Sequence, residues 1–239
     1  MRVGKKIKAI FFDLDGTLLP MDQDVFIKAY FGALAKKLAP RGYAPDALIK
    51  TVWAGTAAMI KNDGGVSNEE AFWQVFCSSF GEGAIKEREV LEEFYKTDFE
   101  VVKNSVGFLP SAASVIEELS FKGFRLILAT NPIFPAVATH ARIRWAGLAR
   151  EKFELVTTYE NSHYAKPNLD YYREILSSVG LDASECLMVG NDADEDMVAE
   201  ELGMRVFLLK ECLINKTGKD LTKYPSGNLD DLMRFITQK

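Results

Sequence analysis

The chain has 239 residues, 48% of them hydrophobic and 26% charged, and it carries a formal net charge of −5. This is the composition of a globular protein long enough for one large domain or two unequal ones. The acidic balance and the lack of a basic stripe argue against nucleic acid as a partner, and no run approaches the roughly 18 apolar residues of a membrane span.

The chain opens with basic residues ahead of a short apolar run, "MRVGKKIKAIFF". Acids interrupt that run too early for a secretory signal, so residues 7–12 read as a first buried strand. Residues 21–105 read as helices only, over 24–38, 45–60, 67–80 and 84–99. Ser67 and Glu70 form a capping box ahead of "AFWQVFCSSF", and Gly81 closes that helix. Strands and helices then alternate. Helices are expected over 110–122, 132–145 (with Asn131 as N-cap), 168–179 and 195–202. Strands are expected over 124–129, 153–157, 186–189 and 205–209. These strands are rich in Ile, Leu, Val and Phe without strict alternation, as parallel strands covered on both faces are. A polar segment follows, and "NLDDLMRFI" forms a last helix. The alternation predicts an α/β fold, a doubly wound parallel sheet, with an all-helical block inserted after its first strand.

In such a sheet, ligands bind beyond the carboxyl ends of the strands. The residues at those ends carry chemistry. In "IFFDLDGTLLP", Asp13 and Asp15 end the first strand. Their spacing of two puts both side chains on one side of an extended chain, and Gly16 lets the chain turn. Thr130 and Asn131 end the next strand, Lys166 lies in "AKP", and Asn191, Asp192, Asp194, Glu195 and Asp196 follow "CLMVG". Converging carboxylates repel one another unless a cation sits among them. Oxygen ligands of this kind suit magnesium, which keeps several waters and binds through one or two carboxylates and a phosphate. Lys166, the Thr130 hydroxyl and the backbone amides of turn 13–16 and of the helix start after Asn131 would be donors for phosphate oxygens. One carboxylate can attack phosphorus. The other can protonate the leaving oxygen and then activate water.

Taken together, "DLDGT", "LILATN", "KP" and "MVGNDADEDM" resemble the four motifs of the haloacid dehalogenase superfamily, in the family's order. The resemblance covers the whole chain, and the arrangement is similar to that of the family's phosphatases with a C1-type cap. It implies a Rossmann-like core over residues 1–19 and 106–239 and a helical, specificity-setting cap over 20–105. It implies a magnesium-dependent phosphomonoester hydrolase acting on a small phosphorylated metabolite through an aspartyl-phosphate. Asp13 would be nucleophile and metal ligand. Asp15 would be the acid/base, with its carbonyl on the metal. Thr130, the Asn131 amide and the Gly16–Thr17 turn would hold the phosphoryl group, and Lys166 would neutralise its charge. One departure stands out: the family often has Asp directly after the strand-end glycine, where this chain has Asn191. Either Asp192 or Asn191 would complete the metal site. Asp192 is preferred as the stronger ligand for a hard cation, with Asp196 as a supporting acid.

Three other readings compete. A 2-haloacid dehalogenase uses the first Asp without metal, and Asp15 argues against it. A phosphomutase would share the site. A non-catalytic phosphate-binding protein would keep the fold without turnover. Outside the motifs, His140 reads as packed or exposed, and His163 as a weak candidate for substrate contact. Trp53, Phe72, Trp73 and Phe76 read as cap core. The loop "KNDGGVSN" is either a plain surface loop or one that reaches toward the site. Cys77, Cys186 and Cys212 read as reduced, buried thiols of a cytoplasmic protein, since their odd number and spacing fit neither disulfides nor zinc. The sequence leaves the oligomeric state open.

Overall fold

The computed structural model describes residues 6–237. Residues 1–5 and 238–239, which the expected core segments include, lie outside the described residues. So does the start of the basic stretch weighed against a secretory signal.

The core is a six-stranded, all-parallel sheet of strands β1 (Ala9–Phe12), β2 (Arg125–Leu128), β3 (Leu155–Val156), β4 (Cys186–Gly190), β5 (Arg205–Leu209) and β6 (Ser226–Gly227), in the order β3-β2-β1-β4-β5-β6. Alternate residues point to opposite faces, and both faces are covered. Ile10, Phe12, Leu128 and Val189 belong to one apolar cluster. Ala9, Phe11, Ile127 and Met188 belong to the other. This is why the strands read as continuous apolar runs rather than alternating ones. β1 is central, with Phe12 level with Leu128 of β2 and with Val189 of β4. The chain therefore leaves these three strands side by side.

Eight α-helices accompany the sheet among the described residues: α1 (Gln23–Leu38), α2 (Pro45–Ile60), α3 (Asn68–Phe80), α4 (Glu87–Lys96), α5 (Pro110–Phe121), α6 (Ala136–Trp145), α7 (Leu169–Val179) and α8 (Leu229–Thr237). The first four lie between β1 and α5 and pack around an aromatic centre that includes Tyr30, Phe76, Phe94 and Phe99. The chain enters and leaves this block through two adjacent segments. Met21 and Val106 form an antiparallel bridge, and the Gly107 amide donates to the Pro20 carbonyl at 2.7 Å. The capping box at Ser67 is present, with the Ser67 side chain and Glu70 satisfying each other's backbone amides. No described helix is long and apolar enough to cross a membrane.

Several boundaries differ from expectation for local reasons. The helix expected from 132 begins only at Ala136. Pro135 has no amide to donate and pushes the preceding residue toward extended backbone, and Pro135 itself is extended (φ −66, ψ 157). The helix expected over 84–99 is broken into a 3-10 turn (Glu82–Lys86), α4 and a second 3-10 run (Asp98–Ser105). The break falls at Thr97, whose hydroxyl donates to the Glu93 carbonyl at 2.8 Å and competes with the helix backbone. Residues Met197–Leu202 are 3-10 rather than α. Cys186 is buried, but Cys212 is exposed and Cys77 only partly buried.

Candidate active site

The three central strands deliver the chemistry because of their register. One residue past Phe12 is Asp13, whose amide donates to the Val189 carbonyl at 2.9 Å. Two past Leu128 is Thr130, and two past Val189 is Asn191. Asp13, Asp15, Thr130, Asn131, Asn191, Asp192 and Asp196 all line one cavity of about 620 Å³.

Lys166 lies behind that cavity, fully buried, next to a cis bond to Pro167. Its Nζ donates to Asp13 Oδ1 at 2.9 Å and to Asp196 Oδ1 at 2.6 Å. Burial alone would lower the Lys166 ammonium, but the Asp13 and Asp196 carboxylates hold it well above its ordinary value. The other Asp196 oxygen accepts from the Asp192 amide at 3.0 Å, which ties the turn after β4 to Lys166. Burial raises the Asp196 carboxyl, with Lys166 opposing.

Asp15 has a different partner. Its Oδ2 accepts from Nη1 of Arg142 on α6. Arg142 is 1% exposed, and its guanidinium lies over the Phe134 ring, 4.4 Å from the centroid. Burial lifts the Asp15 carboxyl above its ordinary value against the pull of Arg142, and Asp13 adds to the lift. Sequence reasoning did not identify Arg142. The sequence of α6 has no single apolar face, so no pattern in it marked Arg142 as buried.

The turn after β1 is anchored to the turn after β4. Gly16 has φ 90, and a side chain there would collide with the Asn191 amide. The Thr17 hydroxyl donates to Asn191 Oδ1 at 2.9 Å, and Asn191 Nδ2 donates to the Cys212 carbonyl at 2.7 Å. Asn191 therefore cross-braces the two loops. Asp192 caps its own turn, with Oδ1 accepting from the Asp194 and Glu195 amides at 2.7 and 3.0 Å.

Asn131 does not cap a helix. Its Nδ2 donates to Glu195 Oε2 at 3.0 Å. Burial pushes the Glu195 carboxyl up to about 7, with Lys166 opposing and Asp192 adding. His163 is held by Glu174, Nδ1 to Oε1 at 2.6 Å, and is not among the residues lining the cavity. His140 is partly buried on α6, and burial lowers its imidazole. Phe72, Trp73 and Phe76 are buried within the helical block but also form cavity wall, whereas Trp53 lines the cavity and is 47% exposed. The loop 61–68 docks on the core beside the cavity: Asn68 Nδ2 donates to the Pro132 and Tyr164 carbonyls at 3.2 and 3.1 Å.

The donor chemistry fits a hard cation. Among the described residues no three His, Cys, Asp or Glu side chains form a ready-made metal cluster. Magnesium does not need one, because waters and a phosphate supply most of its shell. Asp15 Oδ1 and Asn131 Oδ1 are buried without a hydrogen-bond partner. Both belong to residues that line the cavity, where they are open to a bound group.

The sequence model of the haloacid dehalogenase-like hydrolases matches residues 7–201. The chain is 27% identical over 233 residues to the glyceraldehyde 3-phosphate phosphatase of Methanothermobacter thermautotrophicus, covering 90% of this chain and 94% of that protein. It is 22% identical over 228 residues to Protein SUPPRESSOR OF QUENCHING 1, chloroplastic, of Arabidopsis thaliana; there 94% of this chain spans only 20% of the relative's length. A HAD phosphatase structure from Thermococcus onnurineus shares the fold at TM-score 0.60 and 18% identity, over 97% of this chain and 98% of that one. A 2-haloacid dehalogenase from Pseudomonas syringae pv. Tomato DC3000 is as similar, with TM-score 0.60 and 24% identity over 96% and 99%. The fold thus serves both chemistries, and only side chains distinguish them. With the family's sequence model matched across most of its length on a Rossmann-like parallel sheet, this chain belongs to the haloacid dehalogenase-like hydrolases.

Proposed function

We propose that the protein is a magnesium-dependent phosphomonoester hydrolase that works through an aspartyl-phosphate on Asp13. The observation that carries the reading is the pairing at the end of β1: Asp13 within 2.9 Å of the Lys166 ammonium, and Asp15 two residues on in a separate, part-buried ion pair with the buried Arg142. One carboxylate sits beside a fixed cation, as a nucleophile facing a phosphoryl group requires. The other has a raised proton affinity, as a general acid requires. Relatives such as the glyceraldehyde 3-phosphate phosphatase act on phosphate esters by name.

In the first step an Asp13 carboxylate oxygen bonds to phosphorus as the ester oxygen leaves, and Asp15 gives that oxygen its proton. In the second, Asp15 takes a proton from water as the water oxygen bonds to phosphorus, releasing phosphate and restoring the Asp13 carboxylate. Lys166 offsets charge on Asp13 and on the phosphoryl oxygens. Thr130, Asn131 and the backbone amides of the Gly16–Thr17 turn orient those oxygens. Magnesium, when bound, would neutralise the phosphoryl charge. The Asp13 carboxylate, the Asp15 carbonyl and a side-chain oxygen from Asp192 would hold it, with Asn191 bracing the turn. Residues 20–105 act as the cap over this site, and residues 1–19 with 106–239 as the catalytic core.

Turnover of an aryl phosphate with and without magnesium tests the reading, with Asp13→Asn as control. Magnesium-dependent phosphate release that Asp13→Asn abolishes is the expected result. Halide release from a 2-haloacid without magnesium would replace the phosphatase reading by the dehalogenase one.

A further inference from the structure

The cavity above Asp13 is far larger than a phosphoryl group needs, and most of it lies in the helical block. At about 620 Å³ it has room for an organic group the size of a drug-like ligand. Its cap walls are apolar and fully or nearly fully buried: Phe31 and Leu34 from α1, Val52 from α2, and Phe72 and Phe76 from α3. Phe134, beneath Arg142, joins these walls to the Asp15 end.

Several polar side chains on the same walls are already occupied, and one buried donor, the Trp73 indole N–H, has no partner. The Tyr30 and Tyr95 hydroxyls bond to each other at 2.7 Å. The Thr56 hydroxyl donates to the Val52 carbonyl of its own helix at 3.0 Å. Arg88 is paired with Glu69. Glu160 accepts from the Ala136 amide at 2.9 Å. A sugar or other polyhydroxylated group placed here would lose its hydrogen bonds to water and find these partners taken. An apolar group would lose nothing and gain burial.

We infer that the leaving group of the substrate is a bulky apolar one, aromatic or branched aliphatic, seated in this cavity with its phosphate on Asp13. The inference rests on the hydrolase reading for its orientation, and its test separates the two. The first arm measures kcat/KM with magnesium for n-alkyl phosphates from ethyl to hexyl, for 2-naphthyl phosphate, and for glycerol 3-phosphate. The expected result is a rise of about fourfold per methylene, with naphthyl phosphate at least about a hundredfold better than glycerol 3-phosphate. A flat series, or a preference for glycerol 3-phosphate, overturns the inference and leaves the hydrolase reading standing. The second arm measures binding of naphthylmethylphosphonate and methylphosphonate to the wild-type protein by calorimetry. Tighter binding of the naphthyl compound supports the inference whether or not any ester turns over, so a lack of turnover beside it counts against the hydrolase reading alone. Equal binding of the two overturns the inference.

Discussion

Lys166 is a single positive charge held between two carboxylates with no exposure to water. A buried ion of this kind is stable only while its partners are present, and removing it strands both acids. Lys166→Met is expected to destabilise the protein by about 3–5 kcal/mol in a denaturant titration. Adding Asp196→Asn to that variant should recover part of the loss, because one stranded charge is removed; a double variant no more stable than the single one would contradict this. Arg142 plays the matching part for Asp15. It is the strongest influence holding the Asp15 proton affinity down against burial. In Arg142→Met the Asp15 proton should therefore persist to higher pH, and the alkaline limb of kcat/KM should move upward. A limb that stays in place would show that Arg142 does not act on Asp15. Glu195 has its own signature. Its carboxyl is raised from 4.5 to about 7 in the fold. Below about pH 4.5 both folded and unfolded chains carry the proton; between there and about 7 the folded chain keeps a proton that the unfolded chain has lost. Stability thus falls as pH rises through that window. In metal-free protein, Glu195→Gln should flatten this fall in melting temperature, and an unchanged slope would contradict it. The sequence exposed Asp13, Asp15 and Lys166 because they sit in recognisable strings at strand ends. It hid Arg142, since a long charged side chain on a helix usually reads as solvated, and only packing reveals that this one is 1% exposed.

At the scale of elements, the start of α3 docks the helical block on the core, where the Asn68 and Glu69 amides donate to the Ser162 and Tyr159 carbonyls at 2.9 and 2.8 Å. Asn68 is fully buried at the start of α3. It accepts from Asn62 at 2.9 Å and donates to carbonyls that precede α6 and Lys166. Asn68→Ala removes the side-chain donor to two carbonyls and leaves the Asn62 amide only its bond to the Val66 carbonyl. It should cost about 2–3 kcal/mol and speed hydrogen exchange across residues 60–70 and 131–135; exchange unchanged in those segments would contradict the docking role. Sequence made the main elements legible where local chemistry was strong. Pro45 opens α2, Ser67 and Glu70 open α3, and Gly180 closes α7 in the left-handed conformation. It missed where local and tertiary demands part. β6 is two residues, Ser226 and Gly227, too short and polar to show a strand pattern. Asn131 has the composition of an N-cap, yet Pro135 delays the helix and frees its side chain for Glu195.

At the scale of the molecule, the parallel order β3-β2-β1-β4-β5-β6 places the loops after β1, β2 and β4 together, and the block between β1 and α5 stands over them. The same segment that ends in the two acids leads through Met21 into the block, so the cavity wall and the reacting groups share one stretch of chain. The doubly wound core was legible because its strands are buried on both faces. The shape and lining of the cavity were not, since they depend on how four helices meet. Trp53, Phe72, Trp73 and Phe76 look the same in sequence whether they fill a core or line a pocket. The central claim concerns Asp13, and acid-quenched turnover of an aryl phosphate tests it most directly. Peptide mass spectrometry of the quenched wild-type protein should find a phosphoryl group on Asp13, formed only with magnesium and absent from Asp13→Asn. Steady turnover with an unmodified Asp13, or turnover undiminished in Asp13→Asn, would contradict the account.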